Sequence, residues 1–379
     1  MRRIRSLAVG TTLTLLSIGL SILVLEVAAG HLYEHGPYSN GKRTVDYYLG
    51  QVPSSGIDGS ESGEGSLLPH PYLLYTNAPN FRGAGYQQTN SLGYRNDEFE
   101  IQKDKDTIRI LCLGGSTTYM WPYIKNPKDT WVAQLETKLQ AISGKRVQVI
   151  NAGLSYGTSA EAVAGYVFRY RHLQPDIIIY HGGGNDVLPL FFDGYDVEYA
   201  HFRDHGNGLK PRPGERTLLA RSNIAKYLYA RWLEPVGTVF STKPFWEIPP
   251  QDALERVAHT DPEGFRRNVD YLVAQGKQAG SQVILFGFLQ ARKENLAKNA
   301  EAFAGYEEAL VLGLRKSYEV MDQIARRHDV PFIIPPQEKF KDEWFQDNCH
   351  LTEDGEAMKA GILFDSLKEN PLLRKPADA

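Results

Sequence analysis

Cysteine is nearly absent from this chain. Cys112 and Cys349 are the only two among 379 residues, which excludes a disulfide scaffold and a cysteine-based zinc site. Both flank segments of chemical interest, but two unpaired small side chains at a packed sheet edge is the plainer reading. An excess of positive charge is missing as well. Lys and Arg number 42 against 45 Asp and Glu, a net charge of −3. A nucleic-acid partner normally shows itself as a basic domain or patch, so none is expected. Charge of either sign is missing from Ser6 to Leu25, a stretch of the roughly 20 residues that a bilayer's hydrocarbon core requires of a helix. No cysteine closely follows it, so a lipid-attached N-terminal cysteine is excluded.

What is present around that stretch gives it a direction. Arg2, Arg3 and Arg5 precede it, which keeps the N-terminus cytoplasmic and sends the rest across the membrane. Val27-Ala28-Ala29 offers a signal-peptidase site. The apolar run, however, exceeds the roughly 7–15 residues of a cleaved signal. An uncleaved anchor is therefore expected, with the main domain extracytoplasmic, in a periplasm or at a cell surface.

The chain divides into residues 1–30 as anchor, 31–105 as stalk, linker and irregular extension, and 106–372 as the main domain. Within the middle part, Pro53 to Ser66 (PSSGIDGSESGEGS) has the composition of a flexible acidic linker. From Thr107 short apolar strands alternate with amphipathic helices. Strands are expected at 107–113, 146–151, 176–180, 282–288 and 330–334. Helices are expected near 128–143, 158–171, 262–279, 303–328 and 353–369. This pattern predicts an α/β fold with a doubly wound, five-stranded parallel sheet in the flavodoxin-like order. An insertion at 188–262, with one helical stretch near 217–233, interrupts the alternation. Its composition suits a lid, a partner surface or padding equally.

Four short segments fall at the carboxyl ends of strands or before a helix. The first, IRILCLGGSTTY from Ile108 to Tyr119, ends a strand at Gly114-Gly115 and presents Ser116. A strand, a sharp glycine turn and a hydroxyl is how such a sheet offers a nucleophile at its edge. The others are Asn151-Ala152-Gly153, Gly183-Gly184-Asn185-Asp186 and Asp347-Asn348-Cys349-His350. The Asp–His spacing lets one loop present a carboxylate that orients an imidazole. Thr352 is placed to cap the closing helix.

With these residues in hand, the chain resembles the SGNH (GDSL-type) hydrolase superfamily. Four blocks contributing Ser, Gly, Asn and Asp-x-x-His mark that superfamily, and all four occur here in order across roughly residues 107–370. The resemblance implies Ser116 as nucleophile, His350 as general base and Asp347 as its orienting acid. It implies an oxyanion hole from the backbone N–H groups of Ser116 and Gly153 and the side-chain amide of Asn185. The acidic residue that usually precedes the serine is Gly115 here. No metal or cofactor is needed, because protein groups supply both nucleophile activation and oxyanion stabilisation.

A competing motif is present. Gly153-Leu154-Ser155-Tyr156-Gly157 fits the G-x-S-x-G elbow of α/β-hydrolases, and His181-Gly182-Gly183-Gly184 resembles their oxyanion segment. The order is wrong, because that segment should precede the elbow. Ser155 is therefore a small loop residue, and Asp186 is expected to cap the segment that follows it, with no catalytic role. Arg95, in the segment NSLGYRNDE, is expected in a surface or interdomain salt bridge, with an approach to the site as the alternative.

The expected activity is serine-esterase hydrolysis of O-acetyl esters on cell-envelope or extracellular carbohydrate, through an acyl-serine. Alternatives are a polysaccharide O-acetyltransferase with the same triad, a lipase or lysophospholipase, or a non-catalytic envelope-binding protein. The expected partners are an acylated carbohydrate or lipid ester and, through the N-terminal helix, a membrane. The sequence leaves the oligomeric state open.

Overall fold

The computed structural model describes residues 2–38, 41–42, 45–46, 49, 67–70, 72–204, 213–233, 241–242, 244–298 and 300–374. The linker expected at 53–66 lies outside them. The chain separates into two compact units. One comprises Met1–Ser54, Leu67–Pro69 and His205–Phe240; the other comprises Ser55–Ser66, His70–Asp204 and Ser241–Ala379.

The larger unit is built on five parallel strands: β1 (Thr107–Gly114), β2 (Arg146–Gly153), β3 (Ile177–Gly182), β4 (Gln282–Gly287) and β5 (Phe332–Ile333). Their spatial order is β5-β4-β3-β1-β2, the flavodoxin-like order expected. Register brings the switch point together, since Gly114 lies opposite both Gly153 and His181. Ends of β1, β2 and β3 thus reach the same level, which is where a doubly wound sheet places its ligand.

Successive residues of β1 point to opposite faces, and each face has its own core. Leu111 and Leu113 pack with Ile150, Tyr166, Phe265, Leu272 and Met321. Those partners come in part from α4 (Ser159–Phe168), α8 (Glu263–Gln278) and α9 (Glu307–His328). Ile110 and Cys112 pack with Trp131, Leu135, Phe286 and Leu363, contributed in part by α3 (Trp131–Ile142) and α10 (Glu353–Leu367). A third cluster joins Val187, Phe191, Val257, Leu310, Phe345 and Leu351. It ties α7 (Pro250–His259) and the 3₁₀ segment Asn185–Phe191 to the stretch leading into residues 347–350.

The smaller unit contains α1 (Arg2–His35), α5 (Pro213–Arg221) and α6 (Asn223–Leu233). Gly10–His35 is long and apolar enough to cross a membrane. The single helix expected near 217–233 is two, broken at Ser222. The break has a partner: the Glu26 carboxylate accepts from Ser222 Oγ and the backbone N–H of Asn223, both at 2.6 Å. An acidic group there satisfies donors that the first turn of α6 leaves unpaired. The middle of the insertion therefore belongs to the unit of the N-terminal helix, while its ends and α7 belong to the larger one.

Candidate active site

Ser116 is the first residue of a one-turn helix, α2 (Ser116–Tyr119), entered from the end of β1 through Gly114-Gly115. The N-cap position belongs to Gly115, not to the serine, so the Ser116 side chain is free of capping duty. Ser116 is half-buried. Two donors converge beneath it on the Thr117 carbonyl, Trp131 Nε1 at 3.2 Å and Lys359 Nζ at 3.3 Å. Lys359 also pairs with Glu356 at 3.1 Å, and both are fully buried. Glu356 in turn accepts from the Trp131 backbone N–H at 2.9 Å. An i, i+3 acid–base pair on a helix ordinarily reads as a solvated face, so nothing in the sequence marked this clamp.

Asp347 and His350 occupy one tight loop. The carboxylate accepts backbone N–H bonds from Cys349 at 2.9 Å and His350 at 2.7 Å through Oδ1. Its other oxygen lies 2.7 Å from His350 Nδ1. Burial on its own raises the carboxyl pKa, but the hydrogen bond and charge of His350 and the two N–H donors outweigh it, holding Asp347 at about 2. An ionised carboxylate at Nδ1 places the ring hydrogen there and leaves the Nε2 lone pair available. Nε2 is buried and has no hydrogen-bond partner among the described residues. No hydrogen bond therefore joins Ser116 to His350 Nε2. Thr352 takes the N-cap position of α10 as expected but makes no side-chain cap bond, and its hydroxyl is buried without a partner among the described residues.

Asn185 begins the segment after β3, and its Nδ2 donates to the Gly157 carbonyl at 2.8 Å. One amide hydrogen remains. A Cβ built on Gly115 would stand 2.7 Å from Asn185 Nδ2 and 3.1 Å from the Gly157 carbonyl oxygen. The glycine in the place of the usual acidic residue therefore leaves room for Asn185 beside Ser116. Gly153 is positioned differently from the expectation. Its N–H donates to Asn151 Oδ1 at 3.1 Å, and a Cβ there would meet the Tyr119 nitrogen at 2.4 Å. Gly153 packs against the end of α2, while Gly115 and Gly157 both lie against the Asn185 amide.

The remaining sequence candidates settle into structural places. Ser155 lies in the β2–α4 loop, its carbonyl accepting from Tyr75 at 2.8 Å. His181 is fully buried against Trp131, Phe286 and Phe288, and burial pushes its pKa well down. Asp186 accepts from the Ser159 backbone N–H at 3.0 Å, the Ser159 hydroxyl at 2.5 Å and the Tyr199 hydroxyl at 2.9 Å. It caps α4 rather than the segment that follows it. Burial raises its pKa to about 6 against these hydrogen bonds. Cys112 and Cys349 are unpaired thiols. Asp347, Cys349 and His350 cluster within 4.8 Å, but the carboxylate is committed to the imidazole and burial holds the thiol protonated.

Arg95 makes no salt bridge among the described residues and instead reaches the end of the Ser116 helix. It is buried, and among the described residues no carboxylate pairs with it. Its guanidinium donates to the carbonyls of Tyr119 (2.6 Å) and Ile124 and to Gln88 Oε1 (2.8 Å). Sequence reasoning also missed Tyr123. Its ring stacks on that of His350, centroids 3.7 Å apart and planes 7° from parallel. No motif surrounds it; its place follows from how residues 120–125 leave α2.

A serine on a glycine turn, an Asp–His loop and an amide beside the serine, on a five-stranded parallel sheet in this order, are the parts that serine hydrolases of the SGNH type carry. A profile described as GDSL-like Lipase/Acylhydrolase family matches residues 112–358, more than half of the sequence. The chain belongs to that family, whose members are serine hydrolases acting on ester bonds. Among solved structures it is similar to the acetylxylan esterase Axe2 of Geobacillus stearothermophilus, at 14% identity and a TM-score of 0.40, covering 71% of this chain and 97% of that one. It is also similar to a lipase/acylhydrolase of Enterococcus faecalis, at 15% identity and a TM-score of 0.41, covering 72% and 100%. No curated protein matches it.

Proposed function

We propose that this esterase removes O-acetyl groups from cell-envelope carbohydrate through an acyl-serine. His350 Nε2 takes the Ser116 proton as the hydroxyl attacks the ester carbonyl. Asp347 holds the imidazole and stabilises the imidazolium. The oxyanion is met by the Ser116 backbone N–H and the spare hydrogen of the Asn185 amide. Gly153 joins them only if its N–H leaves Asn151. The alcohol departs with the proton from His350, and water then releases acetate from Ser116 by the same path. The observation that carries this reading is the Asp347–His350 pair, with an ionised acid at Nδ1 and an unengaged Nε2.

The apolar helix Gly10–His35 supports an anchored enzyme, with residues 106–372 as its extracytoplasmic hydrolase domain, and an anchored enzyme meets envelope material first. Acetylated carbohydrate is the proposed substrate on that ground, with lipid esters second. The test is hydrolysis of p-nitrophenyl esters of graded chain length by wild type and Ser116→Ala. A preference for acetyl supports the carbohydrate reading, and a preference for long chains overturns it in favour of lipids. Full activity in Ser116→Ala removes the nucleophile assignment. Acetate appearing on an added glycan rather than in solution turns the same site into a transferase.

A further inference from the structure

We propose that Tyr123 is a positioning residue for His350 and that Arg95 holds the loop carrying it; this rests on His350 being the general base. Two contacts locate an imidazole fully, one on its edge and one on its face. Asp347 supplies the edge contact at Nδ1. Tyr123 supplies the face contact, its ring parallel to the imidazole at a centroid distance of 3.7 Å. That is closer than the roughly 4.5–7 Å usual for aromatic pairs, so the phenol covers the ring. When Nε2 accepts the serine proton the imidazole becomes cationic, and the π-face of a phenol favours a cation above it. Burial first, then the charge of Asp347 and a hydrogen bond to it, keep the Tyr123 hydroxyl protonated. Ionisable groups near the imidazole include Cys349, with Sγ 3.6 Å from Nδ1, and Glu356, within electrostatic range and paired with Lys359.

The loop has no regular secondary structure to hold it, although Trp121 and Ile124 are buried. It leaves α2 at Met120, whose φ is +63°, and contains no helix or strand before Pro127. Arg95 bonds the carbonyls of Tyr119 and Ile124, which bracket Tyr123. Gln88 receives a third guanidinium bond at 2.8 Å and donates to the Lys125 carbonyl at 2.7 Å. A buried cation without a carboxylate is costly unless carbonyls satisfy it, so the loop is held to the geometry of the guanidinium fork. A lysine presents a point charge and lacks that fork.

The decisive readout is the Nδ1 proton of His350, which resonates far downfield in ¹H NMR when it is hydrogen-bonded to a carboxylate and shielded from water. The full chain in detergent micelles is compared as wild type, Tyr123→Phe, Tyr123→Ala and Arg95→Lys. The expected result is a sharp resonance in wild type, a sharp but shifted one in Tyr123→Phe, which keeps the ring and loses the hydroxyl bond to Asp347, and its loss by solvent exchange in Tyr123→Ala. The kcat of Tyr123→Ala falls about tenfold with KM little changed, as expected of an interaction that strengthens in the transition state. Arg95→Lys behaves as a milder Tyr123→Ala; if it fails to fold, the two Tyr123 variants decide alone. Wild-type resonance and kcat in Tyr123→Ala overturn the proposal. Full activity in His350→Ala instead overturns the base assignment, so the two failures are distinguishable.

Discussion

The two units of this protein place the same kinds of side chain in opposite surroundings. In the larger unit Leu111, Leu113, Ile110 and Cys112 are fully enclosed on the two faces of one sheet. In the smaller unit Leu15, Leu16, Leu20, Leu23 and Val27 of α1 all stand exposed, while a core as small as Tyr33, Val45, Leu219, Ala230 and Leu233 forms beside them. Apolar surface is expelled from water in both cases. The first unit does this with its own chain, whereas the second keeps a helix whose length and composition suit a membrane span. On the proposed reading, chemistry belongs to the first unit and attachment to the second, and variants in each test that division.

The largest expected effect is on chemistry. Ser116→Ala should lower ester hydrolysis by about 10⁴–10⁶-fold while leaving sedimentation with membranes unchanged, measured on the same preparation. Removing the side-chain oxyanion donor comes next. Asn185→Ala should lower kcat by about 10²–10³-fold, read against the same p-nitrophenyl ester. Gly115→Asp should also reduce kcat, because a Cβ at 115 stands 2.7 Å from Asn185 Nδ2. A normal rate in that variant would show that Asn185 can move without loss.

A smaller effect concerns stability within the hydrolase unit. The folded pKa of Asp186, about 6, lies above its ordinary 3.8. Stability from this group is fully present below pH 4 and is lost as pH rises through 6. Every tenfold change in a group's proton affinity on folding corresponds to about 1.4 kcal/mol, so Asp186→Asn should relieve about 1–3 kcal/mol of the decline between pH 4 and 7, followed by urea denaturation. Asp347 runs the other way: its folded pKa of about 2 lies below its ordinary value. The stability it contributes is present above pH 4 and lost as pH falls toward 2. The smallest expected effect belongs to the other unit. Glu26→Gln weakens the cap on α6 and should speed proteolysis within 213–233 with no change in esterase rate. A fall in that rate would show that the two units are coupled.

Much of the fold was open to reading because its signals are local. Strand-length apolar runs ending in glycine, alternating with amphipathic helices, suffice to predict a doubly wound sheet. The flavodoxin-like order followed from strand number. Boundaries shifted by a few residues where caps decided them; the helix expected at 128–143 spans Trp131–Ile142, begun by Thr130, whose hydroxyl accepts from the Ala133 N–H. The helix α7 went unread inside the insertion. Of the site, Ser116, Asn185, Asp347 and His350 lie in short motifs at strand ends or before a helix, where spacing carries information. Gly153 and Gly157 could not be told apart by spacing, because the register of one loop decides which of them meets Asn185.

The sequence by itself determined the layering of the hydrolase unit, the Asp–His loop and the apolar helix, since each rests on contacts between near neighbours or on composition. Only the tertiary structure decided the rest. Arg95 became a loop clamp, Tyr123 a cover for His350, the Glu356–Lys359 pair a buried support under Thr117, and Glu26 a cap for a helix almost 200 residues away in sequence. Each of these depends on which distant backbone carbonyl, amide or ring folding brings within reach, and residue type alone carries no record of that distance.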